Sequence, residues 1–262
     1  MDPCEPEEFF GSENLQGRFY FCITFDDIYQ NVLDTAVPIL EKFHLPYLLF
    51  PSVGFMDQDL FWWDKFRFAV LAAPLGDLDF FNERFFMKDI YEKNRLIQFL
   101  EPILSTMPLP QRNEYIEKLY QKHRNHIERQ FGKVLSHFRP ATTASLKKIS
   151  TSRLCRIGSH GVNHLVADNL TEQDLENEMQ GSRQWLIKEL CINPTHYCYP
   201  NGSDSAVANL IALRAGYTFA HVIRDDGIYW NTPLQGADRD LTLIHRLPVD
   251  DTNLEELLSS FP

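Results

Sequence analysis

The sequence lacks three features that would point to other classes of protein. No run of 18 or more apolar residues occurs in the 262 residues, so no membrane-spanning helix is predicted. Cations are scarce: the net charge is −11, which argues against nucleic acid as a partner. None of the five cysteines has a CxxC spacing, so free thiols in a reduced protein are expected.

Short apolar segments alternate with helical patterns along most of the chain. This alternation is typical of βα units around a parallel sheet. The strand-like segments are 18–24, 45–53, 154–160, 195–200, 217–222 and 241–249, and helical patterns lie at 34–43, 171–190 and 205–216. Six or seven strands predict an α/β fold of the distorted (β/α) barrel type, with fewer than eight units.

One long segment interrupts the alternation. Residues 55–135 contain several helical patterns and no convincing strand, which predicts a mainly helical insertion that forms a wall or lid. Residues 1–17 are predicted to be a flexible tail, and residues 18–262 a single barrel domain that carries the insertion.

The stretch "FCITFDDIYQ" places Asp26 and Asp27 side by side at the end of an apolar strand. Adjacent carboxylates repel each other, and burial adds to the cost unless a cation lies beside them. A strand end followed by an acidic helix cap is one interpretation. A metal ligand next to a general base is the other.

Four polar clusters follow predicted strands, at the edge where a parallel barrel builds its active site. They are Asp26-Asp27, His160 with His164, the loop 199–202, and His245-Arg246. Residues i and i+4 of a helical turn share a face, so two imidazoles at 160 and 164 can reach one ion. Two imidazoles and one carboxylate are usual ligands of a catalytic Zn²⁺. A carboxylate beside such an ion can act as general base.

These segments resemble a known family. "TFDD" (24–27), "SHGVNH" (159–164), the following helix with its E-x-x-x-S-R pattern, and "HYCYPNG" (196–202) are similar to motifs of the polysaccharide deacetylases. This is the NodB-homology group, carbohydrate esterase family 4. The resemblance covers residues 18–53 and 140–249 in the family's order. It implies a distorted βα barrel and metal-dependent removal of the N-acetyl group from an amino sugar.

The resemblance also implies a role for each matching residue. Asp26 resembles the catalytic base, and the backbone N–H of Asn201 lies where the family holds the oxyanion. One divalent ion is implied, with Zn²⁺ expected and Co²⁺ or Ni²⁺ as alternatives, and its ligands would be Asp27, His160 and His164. His245 is the candidate acid for the leaving amine. The alternative is that Arg246 of the same strand pairs with an acidic neighbour such as Asp225 or Asp226.

Three residues depart from the family pattern. Ile28 follows the Asp pair where the family has Gly, Gly161 replaces a Ser or Thr that supports the loop, and Cys198 replaces an Arg that orients the base. These departures favour one alternative, a degenerate member that binds glycan without cleaving it. A second alternative is a deformylase or amidase acting on another small amide in a narrow, closed pocket.

The remaining expectations concern partners and location. A carbohydrate substrate is expected, with neither nucleic acid nor a membrane span. The acidic start "MDPCEPEEFF" does not resemble a secretory signal, so a cytoplasmic location and a sugar nucleotide, lipid-linked glycan or oligosaccharide are expected. If a leader has been removed, an envelope polysaccharide becomes the alternative. Trp62 and Trp63 either pack the insertion or line a sugar groove, and Trp230 is a further groove candidate.

Overall fold

The structure, a computed structural model, describes residues 2–3, 20–81, 83–223, 232–235, 240–246 and 249. Its strands are β1 (Asp2–Pro3), β2 (Tyr20–Phe21), β3 (Ile23–Asp27), β4 (Tyr47–Pro51), β5 (Gly76–Phe80), β6 (Glu83–Met87), β7 (Cys155–Ile157), β8 (His196–Cys198), β9 (Phe219–Ile223), β10 (Thr232–Gln235) and β11 (Asp240–Arg246). Its α-helices are α1 (Val37–Phe43), α2 (Trp62–Ala72), α3 (Ile90–Ser105), α4 (Leu109–Phe131), α5 (Thr143–Ile149), α6 (Glu172–Leu190) and α7 (Ala206–Ala215).

The parallel strands form two sheets that are joined at one point. One sheet has the order β3-β4-β7, and the other has the order β10-β11-β9-β8, in which only β10 is antiparallel. A parallel bridge between Ser159 and Tyr197 links the end of β7 to β8. The described residues therefore contain a mixed α/β fold built on parallel strand pairs, as predicted.

The strand Tyr47–Pro51 packs against helices on one face and against other strands on the other. All five residues of β4 are buried, which is the pattern of a strand covered on both faces. Helix α6 begins after Thr171, whose side chain accepts a hydrogen bond from the backbone N–H of Asp174. Its predicted apolar stripe, Leu175, Met179 and Leu186, is buried against the sheet residues.

The insertion contains helices α2, α3 and α4, but it is not free of strands. Strands β5 and β6 form an antiparallel hairpin in which Gly76 pairs with Met87 and Phe80 with Glu83. The expectation of no strand in this segment is therefore wrong. Leu78, Phe80 and Met87 are buried in the hydrophobic cluster of the insertion, so the hairpin is stabilised by packing rather than by a long alternating pattern.

Some of the predictions concern residues that the structure describes only in part or not at all. Within the described ranges, no helix is both long and apolar enough for a bilayer span. Of the predicted tail, residues 1–17, only Asp2 and Pro3 are described, and they pair with Tyr20 and Phe21. Trp230, Asp225 and Asp226 lie outside the described residues.

Candidate metal and catalytic site

The chain turns sharply at the end of β3. Asp27 and Ile28 both have a φ of 62°, and the backbone N–H of Ile28 donates to the carbonyl oxygen of Asp26 at 2.6 Å. This is a three-residue turn centred on Asp27. Consecutive side chains of a regular strand point to opposite faces. Because the strand ends in this turn, Asp26 and Asp27 both face the imidazoles described next.

Asp27, His160 and His164 come together at the ends of β3 and β7. The Nε2 atom of His164 lies 3.5 Å from Oδ1 of Asp27, and that of His160 lies 3.8 Å from the same oxygen. One potential ligand atom from each of the three residues lies within 4.8 Å of the other two. Ser52, which is fully buried, donates its hydroxyl to Oδ1 of Asp27 at 3.1 Å and so fixes this carboxylate.

The orientation of the two histidines suits a metal. Nδ1 of His160 lies 2.7 Å from the carbonyl oxygen of Cys198. A carbonyl oxygen only accepts, so Nδ1 of His160 donates to it and Nε2 is the ring nitrogen that faces Asp27. Burial lowers the pKa of His164 to about 4, so its imidazole is neutral at pH 7. Two imidazoles and one carboxylate fit a divalent ion such as Zn²⁺.

Asp26 forms an ion pair with the last described strand. Nη1 and Nη2 of Arg246 on β11 donate to the two carboxylate oxygens of Asp26 at 2.7 Å each, and Nη1 also donates to the hydroxyl of Thr24 at 3.2 Å. Burial raises the pKa of Asp26, but the fields of His160 and Arg246 and the bonds from Arg246 outweigh it and set the pKa to about 2. Asp26 is therefore ionised at neutral pH.

Cys198 also contacts this carboxylate. Its Sγ is 3.5 Å and 3.6 Å from the two oxygens of Asp26, and burial raises the pKa of the thiol well above its usual value. Asp26, His160 and Cys198 form a second group whose ligand atoms are close enough for an ion. Because both oxygens of Asp26 are held by Arg246 and the thiol is protonated, the group around Asp27 fits a metal better. Cys155, Cys191 and Cys198 are free thiols.

Asn201 lies in the loop after β8 and faces the same space as Asp27 and His164. Its φ is 56° and its ψ is 14°, a left-handed conformation that Asn tolerates. The next residue must be glycine: at Gly202, whose φ is 69°, an added Cβ would lie 2.4 Å from Cβ of Ile223. The loop is therefore fixed closely against β9.

His245 is not brought to these residues. Adjacent residues of a strand face opposite sides, and Arg246 points to Asp26, so His245 points to the other face of β11. The structure thus favours the second of the two alternatives for this strand, a salt bridge of Arg246. Its partner is Asp26, which was not among the acidic neighbours named as candidates.

A cavity of about 520 Å³ opens onto the metal donors. It is lined by Asp27, Tyr29, Trp62, Trp63, Arg67, Gln98, Glu101, Pro102, Ser105, His164 and Asn201. Most of these residues come from α2 and α3, so the insertion forms a wall of the cavity. The expectation of a packing role for the aromatic residues also holds: Trp62 and Trp63 are buried in the hydrophobic cluster of the insertion.

Hydrogen bonds attach this wall to the end of β3. Nε1 of Trp63 donates to the hydroxyl of Tyr29 at 2.8 Å, and this hydroxyl donates to Asp64 at 2.9 Å. The ring of Trp63 lies 4.9 Å from that of His164. At the mouth of the cavity, Arg67 donates to both carboxylate oxygens of Glu101, at 2.5 Å and 3.0 Å.

The comparison with protein families gives a direct test of the resemblance. Residues 124–220 match the family model described as polysaccharide deacetylase. The resemblance to polysaccharide deacetylases is confirmed. The match includes His160, His164 and Asn201, whereas Asp26 and Asp27 lie outside the matched segment. Among proteins with curated functions, none matches the sequence.

Solved structures of deacetylases share the fold. The deacetylase PplD of Streptococcus pyogenes, solved in complex with acetate, is 16% identical with a TM-score of 0.55, and the match covers 99% of this chain and 79% of that chain. A de-N-acetylase from Aggregatibacter actinomycetemcomitans is 14% identical with a TM-score of 0.52, covering 97% and 79%. IcaB from Ammonifex degensii is 14% identical with a TM-score of 0.52, covering 92% and 72%. At these identities the likeness to deacetylases is one of fold.

Several residues around the site were not assigned from the sequence. Tyr29, Ser52, Asp64, Arg67 and Glu101 contact or surround the donors, but they lie outside the motifs that the sequence shares with the deacetylases. A signal did exist for Glu178, the first residue of the E-x-x-x-S-R pattern on α6. Its carboxylate contacts the loop that carries His164.

Proposed function

We propose that this chain is a metal-dependent hydrolase that removes the N-acetyl group from an amino sugar of a glycan. The observation that carries the proposal is the cluster of Asp27, His160 and His164 at the cavity, with an ionised Asp26 directly beside it. The family match supports a deacetylase of glycans.

The donor set would hold one divalent ion, and Zn²⁺ suits two imidazoles and a carboxylate best. When bound, such an ion polarises an amide carbonyl and acidifies a water molecule. Asp26 is the residue placed to take a proton from that water, because its Oδ2 lies 3.9 Å from Nε2 of His160 and it is not needed as a ligand. The backbone N–H of Asn201 would donate to the carbonyl oxygen as negative charge develops there.

The reaction must also deliver a proton to the leaving nitrogen. Since His245 faces away, Asp26 is the candidate to hand on the proton that it has taken. The oxygen of water then ends in acetate, its two protons end on the amine, and Asp26 is ionised again. Arg246 would hold Asp26 in position through both steps.

The cavity supports a short sugar as the occupant. Its volume of about 520 Å³ falls within the usual range of small-ligand sites, roughly 300–1,000 Å³. Aromatic rings and polar groups line it together, which suits the apolar face and the hydroxyls of a pyranose. Among the lining residues that the structure describes, Arg67 is the one with a cationic side chain, and Glu101 already neutralises it, so a neutral glycan end fits better than a sugar diphosphate.

We further propose that the parallel strands form the distorted barrel expected from the sequence. Between β3 and β11, the first and last strands of the parallel series, Arg246 joins Thr24 and Asp26 through side chains. This contact supports closure of the series into a barrel without a backbone ladder at that seam.

The test is acetate release from N-acetylated chito-oligosaccharides by purified protein, after treatment with a chelator and after addition of Zn²⁺, Co²⁺ or Ni²⁺. We expect activity that the chelator removes and the metal restores. Asp26→Asn should bind metal but release no acetate, whereas Asp59→Asn, a change at an exposed residue, should behave like the wild type. Metal-loaded wild type that hydrolyses no acetylated sugar would favour the glycan-binding alternative.

A further inference from the structure

The loop between the two metal histidines is held by neighbouring elements. His164 has a φ of 53°, a left-handed backbone that a residue other than glycine keeps only with outside support. The N–H groups of Val53 and Gly54 donate to the carbonyl oxygens of Gly161 and Val162 at 3.1 Å and 2.8 Å. The backbone N–H groups of Val162 and Asn163 are not paired within a helix or strand, so the acceptor to which they donate also contributes to holding His164.

Both N–H groups donate to one carboxylate. Oε2 of Glu178 accepts from the N–H of Val162 at 2.9 Å and from that of Asn163 at 2.8 Å, and Oε1 accepts from the side-chain amide of Asn163 at 2.8 Å. Glu178 projects from the middle of α6 and is only 3% exposed. A buried carboxylate with three N–H donors is well satisfied and leaves its partners little freedom.

Gly161 makes room for this arrangement. An added Cβ at this position would lie 2.7 Å from Oε2 of Glu178 and 3.4 Å from the hydroxyl of Tyr197. A serine or threonine here would therefore collide with the carboxylate. In this chain, glycine at position 161 leaves Oε2 of Glu178 unobstructed.

The charge of Glu178 also acts on the insertion. Burial lowers the pKa of Arg112 to about 10, and the negative charge of Glu178 opposes that change. Arg112 is 1% exposed, and its guanidinium carbon lies 4.5 Å from the ring centre of Trp62, which lines the cavity. The buried guanidinium of Arg112 therefore lies within the electrostatic reach of the carboxylate that holds the metal loop.

We infer that Glu178 is the positioning residue of the metal site: its carboxylate fixes the loop that presents His164. The inference rests on the proposed function in one respect, that the bound metal serves catalysis. The claim that Glu178 orders the loop does not depend on that function. It assigns no chemistry to Glu178, which contacts the loop backbone and not the donor atoms. The side chain acts through hydrogen bonds that a structural filler of similar size would not supply.

The first test compares Glu178→Ala with the wild type. Hydrogen exchange is followed in metal-free protein, and Zn²⁺ affinity is measured by competition with a chromophoric chelator. We expect exchange in residues 161–164 to become faster while the strands keep their protection. We expect the Zn²⁺ affinity to fall about 10-fold or more, as for other groups that orient metal ligands. Glu172→Gln, at the exposed start of the same helix, is the matched control and should change neither quantity.

A second variant displaces the carboxylate without removing it. Gly161→Ala pushes a methyl group against Oε2 of Glu178, so it should also weaken Zn²⁺ binding. In the Glu178→Ala background that collision is absent. There, Gly161→Ala should cause a much smaller additional loss of Zn²⁺ affinity. This non-additivity is not expected from backbone strain at position 161, which both backgrounds share. The Gly161→Ala variant also tests the inference if Glu178→Ala does not fold.

The outcomes separate the two proposals. Unchanged loop exchange and unchanged Zn²⁺ affinity in Glu178→Ala, or in Gly161→Ala if the former does not fold, would overturn the positioning role even if the wild type is a deacetylase. Faster loop exchange with weaker Zn²⁺ binding would support it even if no acetylated sugar is cleaved. If the wild type binds no metal, the exchange data alone decide.

Discussion

The pairing of Asp26 with Arg246 leads to a quantitative prediction about stability. Arg246→Met keeps most of the aliphatic stem but removes the guanidinium that holds both oxygens of Asp26. The carboxylate then keeps only the weak thiol contact of Cys198 and the field of His160. Removing one partner of a buried ion pair leaves an uncompensated charge, which is costly.

The size of the effect follows from the exposure of the pair. The side chains of Arg246 and Asp26 are 11% and 28% exposed. For a fully buried pair, removing one partner lowers the free energy of unfolding by about 3–5 kcal/mol. Because water has partial access to Asp26, we expect Arg246→Met to lower it by about 2–3 kcal/mol. The pKa shift agrees: the fall from 3.8 to about 2 corresponds to about 2 kcal/mol. That stabilisation is present above the unfolded pKa of 3.8 and is lost as the pH falls toward about 2.

The assay is urea unfolding of chelator-treated protein at pH 7, for the wild type, Arg246→Met, Asp26→Asn and the double variant. We expect Arg246→Met to cost about 2–3 kcal/mol in the wild-type background and much less when Asp26→Asn is also present. Arg246→Lys restores the charge but not the two parallel bonds, so it should lie between. An equal cost of Arg246→Met in both backgrounds would refute the pairing, because the arginine would then stabilise the protein through other contacts.

Three further predictions concern residues around the site. Ile28→Gly relieves about 1–3 kcal/mol of strain at a φ of 62°. It also removes a fully buried side chain that contributes about 2–5 kcal/mol. Urea unfolding should therefore show a net loss of about 1–3 kcal/mol in the free energy of unfolding. Burial raises the pKa of Asp64 from 3.8 to about 6, so its ionisation costs stability as the pH rises through this window. Asp64→Asn can still accept the hydrogen bond from Tyr29. By calorimetry, this variant should have a higher melting temperature than the wild type at pH 8 and not at pH 3.5 or below. Glu101→Gln weakens the ion pair with Arg67 at the cavity. It should raise the KM for chito-oligosaccharides and leave the Zn²⁺ affinity unchanged. An equal loss of Zn²⁺ affinity would argue against a role of Glu101 in substrate binding.

Local patterns were enough to predict the parallel strands β3, β4, β7, β8, β9 and β11, whereas the choice of Asp27 as the ligand came from the family resemblance. The strand at 47–51 is continuous and apolar, and the helix at 172–190 has a clear stripe and cap, so each is specified by neighbours in sequence. The hairpin at 76–87 was missed because its burial depends on helices that are distant in sequence. Arg246 was considered, but its partner was not, since residues 220 positions apart share no local signal.

Two of the three departures from the family pattern can be related to residues elsewhere in the fold. Cys198 removes a guanidinium from the neighbourhood of the base, and Arg246 supplies one from β11. Gly161 removes a hydroxyl from the metal loop, and the carboxylate of Glu178, which belongs to the E-x-x-x-S-R pattern, accepts the N–H groups of that loop. At both positions the side chain of another element supplies the hydrogen bonds.

Ile28 differs from the other two departures because nothing replaces its glycine. The backbone keeps the left-handed φ that glycine adopts without cost, although a β-branched residue occupies it. Its side chain is fully buried in the cluster with Leu33 and Ala141, and the N–H of Ala141 donates to its carbonyl oxygen at 2.8 Å. Packing therefore stabilises the turn that directs Asp27 to the histidines.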